Sequence, residues 1–205
     1  WIVALADRVA AGAIDETRGM TLNADVQGRP VGGALCMGGR DYAAIAGDQP
    51  GEARADPARL ARLIADGVVS VPAFGPADGQ FPGSAGRGRI LGRRLADLAD
   101  RHALGVLHTA LLTLECGGVL APGRTWVLDG TFLRDPAFAG LVAALRPGAP
   151  TLLNRETYGI AAGAAMLCRD APGEVPLDLS PARPLDLPGL RDYAARWRAL
   201  AGGQG

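Results

Sequence analysis

No lysine occurs among the 205 residues; all 21 basic side chains are arginine. That absence removes a phosphate-loop lysine, a Schiff-base lysine and a lysine general base from the available chemistry. Backbone amides, arginine or a metal are left for any handling of phosphate. Histidine is nearly as scarce, with His102 and His108 alone. Six residues apart, they do not share a helix face, and a core or edge role outweighs catalysis. Cys36, Cys116 and Cys168 show neither paired spacing nor close histidines, so they read as reduced, buried thiols. No charge predominates: 21 acidic groups balance the arginines, and the lack of a basic face argues against a nucleic acid or an anionic membrane as partner. With no uninterrupted apolar run of membrane-spanning length and no charged-then-apolar leader, the chain reads as soluble and cytoplasmic.

What is present suits one domain, or two small ones, able to bury roughly 70% of the unfolded surface without a metal or disulfide staple. Trp1 leads straight into Ile2-Val3-Ala4-Leu5-Ala6 with no turn or cap before it. A strand entered in mid-course predicts a piece of a longer protein. Residues 18–26 alternate well enough for a second strand, and 30–37 supply a third, with Gly12 and Gln27-Gly28-Arg29 as turns. Three successive strands predict an antiparallel meander. A short helix over 40–46 follows, then a helix over 57–65 with Leu60, Leu63 and Ile64 at helical spacing, Asp56 as cap and Gly67 as stop.

Residues 68–92 hold a short apolar piece and a tract rich in Gly and Pro. Gly86-Arg87-Gly88, with Arg89, Arg93 and Arg94, could grip phosphates, but no strand feeds a correctly spaced G-x-G-x-x-G, and a mobile surface loop is favoured. Phe74, Phe81 and Pro82 read as buried loop anchors rather than a lid. From Arg93 to about Cys116 runs the longest helix, roughly 36 Å for about 24 residues. Its two apolar stripes, one through Leu98, His102 and Val106 and one through Leu104, Leu107 and Leu111, predict burial on most of its girth, and Gly117-Gly118 ends it.

The centre of the pattern is TWVLDGTFLRDP, residues 125–136. An apolar run meets Asp129-Gly130, and Asp135-Pro136 opens a new helix, which predicts a buried strand, a glycine turn and a capped helix. Ligands in open α/β sheets bind where such strands end, and Gly130 lets a flat ligand approach the backbone. A helix over 136–145, a strand over 151–153 and a helix from about Tyr158 to Cys168 follow. In the last, Gly159, Ala162, Gly163 and Ala165 would admit close packing of another backbone. The tail from Asp170 to Pro188 is Pro-rich, and 189–200 forms an amphipathic helix with Leu190, Tyr193, Ala194 and Trp197 on the side that docks on the body.

Three strands, a helix, strand, helix, strand and helix is the order of the α/β ribonuclease-H-like domain that sugar kinases, actin and hexokinases use in pairs. It predicts a mixed five-stranded sheet with flanking helices. Leu128 to Pro136 resembles the adenosine motif of the FGGY carbohydrate kinases, and Tyr158 to Ala165 resembles their small-residue helix. Met37-Gly38-Gly39-Arg40-Asp41-Tyr42 is similar to the M-G-G-R-E-F segment of some members. The resemblance runs from Trp1 to about Arg169 and identifies only the C-terminal domain. It implies residues 1–170 as the nucleotide-side domain, with an insertion at about 38–92, and 171–205 as the tail with its docking helix. The N-terminal, sugar-binding domain would be absent.

Family members transfer the γ-phosphate of ATP, with Mg²⁺, to a hydroxyl of a sugar or polyol held between two domains. The resemblance therefore implies ATP and Mg²⁺ as cofactors, and as partners ATP, a small sugar and the N-terminal domain; a homodimer is left open. Trp1 would end the second phosphate motif, S-T-G-T-W. The aspartate general base would lie in the absent domain, so no catalytic residue and no metal ligand is assigned here. Gly130 would lie near adenine or ribose, with Thr131 and Asp135 lining the pocket. Phe132, where many members have a small residue, would pave or fill it, and Asp135 stands where an Asn is common. Arg40 and Asp41 either face the sugar side of the cleft or cap a surface helix. The alternative is a binding or scaffold module of the same fold that has lost nucleotide use.

Overall fold

The computed structural model describes residues 2–7, 9, 11–47, 53–155, 163–165, 168 and 177–203. Strands β1 (Ile2–Asp7), β2 (Met20–Ala24) and β3 (Pro30–Cys36) pair antiparallel in the order β1-β3-β2. Ala34 sits opposite both Ala4 and Met20. With β3 central, this is not the expected meander. The link from β1 to β2, stiffened by a 3-10 turn (Glu16–Arg18) that Asp15 caps, carries the chain across the sheet. Only β2 and β3 form a tight hairpin. Asp25 holds that turn by accepting from the Gln27 and Arg29 amides.

Helix α1 (Gly38–Ala46) follows, then α2 (Pro57–Ala65), whose Asp56 side chain accepts from the Ala58 amide as expected. Strands β4 (Val69–Val71) and β5 (Arg89–Leu91) make a separate antiparallel ribbon. The tract between them is not the mobile surface loop its composition suggests. The Asp78 carboxylate accepts from the Gly83 and Ala85 amides at 2.9 and 2.7 Å. Phe81 is buried edge-on to Trp197. Arg93 is likewise no phosphate grip, because it pairs with Asp66 and Asp100.

Helix α3 (Leu98–Leu120) crosses the whole body. It begins five residues later than the apolar pattern suggests, since Asp97 caps it through the Ala99 amide. It also runs through Gly117-Gly118 instead of stopping there. A Cβ on Gly117 would lie 2.5 Å from the Trp126 ring, so this glycine serves close packing rather than termination. α3 is long and apolar enough to cross a membrane, and 67% of its most apolar window is buried within the protein, the environment of a core helix.

Strand β6 (Trp126–Leu128), a 3-10 turn (Thr131–Arg134) and α4 (Pro136–Ala144) come next, then β7 (Thr151–Asn154), parallel to β6, and β8 (Leu179–Pro181), antiparallel to β7. The helix predicted over Tyr158–Cys168 falls mostly outside the described residues; 163–165 are helical, and Cys168 is exposed, not buried as expected. Cys36 and Cys116 are buried free thiols. The terminal helix α5 (Leu190–Gly202) docks as predicted. Tyr193 and Trp197 are buried and donate to the Val68 and Ser70 carbonyls at 2.8 and 2.7 Å.

Among the described residues the mixed α/β fold thus carries two three-stranded sheets and a ribbon, not the single five-stranded sheet expected. A 710 Å³ groove lined by residues of β1, α3 and β6 lies between the two larger sheets. One core, running from Ile2 and Ala34 through Leu104, Leu107 and Leu111 to Phe138 and Leu141, sits on α3.

Candidate functional site

Parallel strands β6 and β7 end on the same side, with Leu128 opposite Leu153. Beyond Leu128 the chain surfaces at Asp129, Gly130 and Thr131. Gly130 has φ +103°, a conformation that disfavours any side chain, and no atom lies within 4 Å of where its Cβ would stand. The space above it is open. At the end of β7, Asn154 donates to Asp129 at 3.4 Å, closing the other wall.

Phe132 does not fill that space. Its half-buried ring packs against Tyr42 and Phe138, with centroids at 6.0 and 5.5 Å. The ring is packed into the body, away from the Gly130 Cβ position.

Asp135 faces the interior at 7% exposure. One oxygen caps α4 by accepting from the Ala137 amide at 3.0 Å; the other accepts from the Ala55 amide at 2.8 Å and from His102 Nε2 at 2.8 Å. Because a carboxylate only accepts, His102 Nε2 carries a proton toward it, and Nδ1 lies 2.7 Å from the Tyr42 hydroxyl. Burial alone would raise the Asp135 carboxyl, but bonds from His102, Ala55 and Ala137 outweigh it and hold the group below the usual carboxylate value. Burial, and then the Asp135 charge, push the Tyr42 phenol above its ordinary value, so it stays a donor. This chain joins α1, α3 and α4 beneath the Gly130 turn.

Arg40 and Asp41 separate. Arg40 is exposed on the first turn of α1, whereas Asp41 is 2% exposed and turns into the core. Its oxygens accept from the Phe74 and Gly75 amides at 2.9 and 3.2 Å, and lie 3.2 Å from His108 Nε2. An inward aspartate with that partner set braces Phe74 and Gly75 and presents no carboxylate to a substrate. His108 Nδ1 is 2.9 Å from Ser70 Oγ. Ser70, His108 and Asp41 match a nucleophilic triad in residue type only, because all are at most 2% exposed and no substrate reaches the serine.

The structure therefore gathers Gly130, Thr131 and Phe132 at one strand end, with Asp135 beneath and Asp41 elsewhere. Sequence reasoning missed Tyr42 and His102 as braces, and Asn154. Tyr42 lies within the segment that resembles a family motif, and Asn154 ends a predicted strand; those were the available signals. Among the described residues no group of three or more His, Cys, Asp or Glu could hold a metal.

No curated protein matches the chain. Among solved structures it is similar to a carbohydrate kinase from Novosphingobium aromaticivorans, with TM-score 0.80 and 24% identity over 99% of this chain and 44% of that one. It is also similar to a ligand-bound xylulose kinase from Lactobacillus acidophilus, with TM-score 0.62 and 13% identity over 98% of this chain and 43% of that one. A gluconate kinase from the same organism shows TM-score 0.59, 13% identity and the same coverage. These likenesses show the sugar-kinase fold, of which the chain spans less than half the length. Residues 1–176 match the family described as carbohydrate kinase FGGY, C-terminal domain; the chain belongs to the FGGY carbohydrate kinase family as that domain.

Proposed function

We propose that this chain supplies the ATP-binding half of a cytoplasmic kinase that phosphorylates a hydroxyl of a ketose or polyol, with an N-terminal domain carrying the sugar and the general base. The observation that carries this reading is the open turn at the carboxyl end of β6. Gly130 presents bare backbone to open space, and Thr131 and Asp129 are exposed beside it. Adenosine would lie over Gly130 with Thr131 at its edge, and Asp135 would hold the turn from below.

Mg²⁺ in phosphoryl transfer is held mainly by phosphate oxygens and water, with one or two carboxylates. A domain whose described residues hold no three-ligand cluster suits that arrangement. Carried on the phosphates, the ion would neutralise charge on the transferred group. What the chain's own residues do is position the nucleotide, which is the larger part of catalysing phosphoryl transfer.

Calorimetric titration of Mg-ATP into the chain, and into a longer polypeptide carrying an N-terminal domain, tests this. Binding by both with turnover only in the longer one is the expected result; no binding by either favours the scaffold alternative. Gly130→Val should abolish binding. Because φ +103° strains a β-branched residue, its unfolding midpoint is measured alongside. A folded variant with unchanged affinity removes Gly130 from the site.

A further inference from the structure

At the amino-terminal end of β6, away from the Gly130 turn, a 310 Å³ cavity lies between the ends of α3 and α4 and one face of α5. Its charged lining is Arg146, Arg191 and Arg198, and among the described residues no acidic side chain lines it. Arg146 is 9% exposed. Its guanidinium lies 3.6 Å from the Trp126 ring centroid and donates to the Pro150 and Arg124 carbonyls and the Thr151 hydroxyl. All these partners are neutral. Three of its five N–H groups are used, leaving Nε and one N–H of Nη2. No side-chain polar atom that is fully buried lacks a partner among the described residues, so the free Nε is open to solvent.

Arg198 shares its charge with Glu115, at 2.7 Å from Nε. Arg191 is exposed, and neither it nor Arg146 has a carboxylate partner among the described residues. Two guanidinium charges are therefore uncompensated at one cavity. Burial lowers the pKa of Arg146, the sign of a cation without an anion beside it.

We propose that this cavity is a binding site for a phosphate monoester of a small metabolite, separate from the nucleotide turn. Guanidinium groups favour phosphate through paired N–H donors. Two uncompensated charges match the charge of about −1.5 to −2 that a phosphate monoester carries at neutral pH. The volume falls at the lower end of the range for small-molecule pockets, which suits one phosphorylated sugar-sized molecule. Arg146 is held rigid by Trp126 and its carbonyl partners, whereas Arg191 and Arg198 reach in from α5, so the ligand would clamp the terminal helix to the body.

The test is thermal unfolding and calorimetry of the 205-residue chain in phosphate-free buffer. The probes are inorganic phosphate, glucose 6-phosphate, glucose, and sodium chloride at matched ionic strength. Glucose 6-phosphate should bind and raise the melting temperature, whereas glucose and chloride should not. Arg191→Ala removes an exposed side chain with no described partner, so it should melt like the parent without ligand. It should weaken glucose 6-phosphate binding about tenfold or more and leave Mg-ATP affinity unchanged. Absence of binding, an equal response to chloride, or an equal response in Arg191→Ala overturns the proposal. Binding of inorganic phosphate alone overturns the monoester assignment.

Discussion

Replacing Asp135 by alanine removes three hydrogen-bond acceptances at once: the α4 cap at Ala137, the Ala55 amide and His102 Nε2. Loss of an aspartate cap costs about 1 kcal/mol. Each buried donor left without a partner costs about 1–3 kcal/mol; Ala55 is 6% and His102 4% exposed, so water replaces the carboxylate poorly. Allowing for overlap, Asp135→Ala should destabilise by roughly 3–5 kcal/mol, a large share of the 5–15 kcal/mol typical of a domain. In a chain of this size that corresponds to roughly 6–20 °C in melting temperature. Asp135→Asn can turn its oxygen toward Ala55 and His102 and forfeit only the cap, so about 1–2 kcal/mol is expected.

Urea unfolding followed by circular dichroism reads both values, and titration of Mg-ATP separates brace from ligand contact. A brace predicts that folded Asp135→Asn keeps its Mg-ATP affinity to within about threefold, since each factor of ten is worth about 1.4 kcal/mol. If Asp135→Ala stays within about 1 kcal/mol of the parent, the interior network is not what holds the turn. If folded Asp135→Asn loses nucleotide altogether, the carboxylate touches the ligand and the inward geometry is overruled.

The same group sets an acid limit. Its carboxyl is held below the ordinary value in the folded chain, so its contribution is complete above the unfolded value near pH 4 and is lost as pH falls through the lower folded value. Urea midpoints should be flat from pH 7 to about 5 and fall below about 4, and Asp135→Asn should flatten part of that fall; an unchanged slope would count against the assignment. Gly117→Ala forces a methyl to 2.5 Å from the Trp126 ring. Overpacking of that kind costs about 1–3 kcal/mol, so a neutral result would mean the ring shifts freely.

Capped elements were the most legible part of the chain. Asp56 and Asp135 precede Pro at the first helical position, and both helices start there. Where sequence reading failed, a distant partner had changed a local signal. Gly117 looks like a stop until Trp126, nine residues on, takes the place of its side chain. Arg93 looks like the start of a helix or a phosphate ligand until Asp66 and Asp100 claim it. The Gly- and Pro-rich tract reads as mobile because neither the Asp78 cage nor the contact of Phe81 with Trp197 leaves a periodic trace. The split sheet has a similar origin. An apolar pattern reports that a strand is covered, not which edge it pairs with. Among the described residues β1 and β6 each leave one edge unpaired across the groove, where Val3, Leu5 and Val127 stay 57%, 66% and 48% exposed.

The position of the Gly130 turn depends on residues that no local motif would select. Gly130 and Thr131 are exposed and make few bonds of their own, and a loop so placed ordinarily loses order when empty. Here its downstream end is fixed by Asp135. Asp135 is oriented by the Ala55 amide from the start of the α2 region and by His102 from the middle of α3, and His102 is oriented by Tyr42 of α1. Phe132 adds a second tie by packing on Tyr42 and Phe138. The turn is thus held from four elements before any ligand arrives, and a site organised in advance does not spend binding energy on ordering itself. Tyr42 is the member shared by both ties, so the residues flanking it in Met37–Tyr42 influence the Gly130 turn through packing, although Asp41 itself is buried elsewhere.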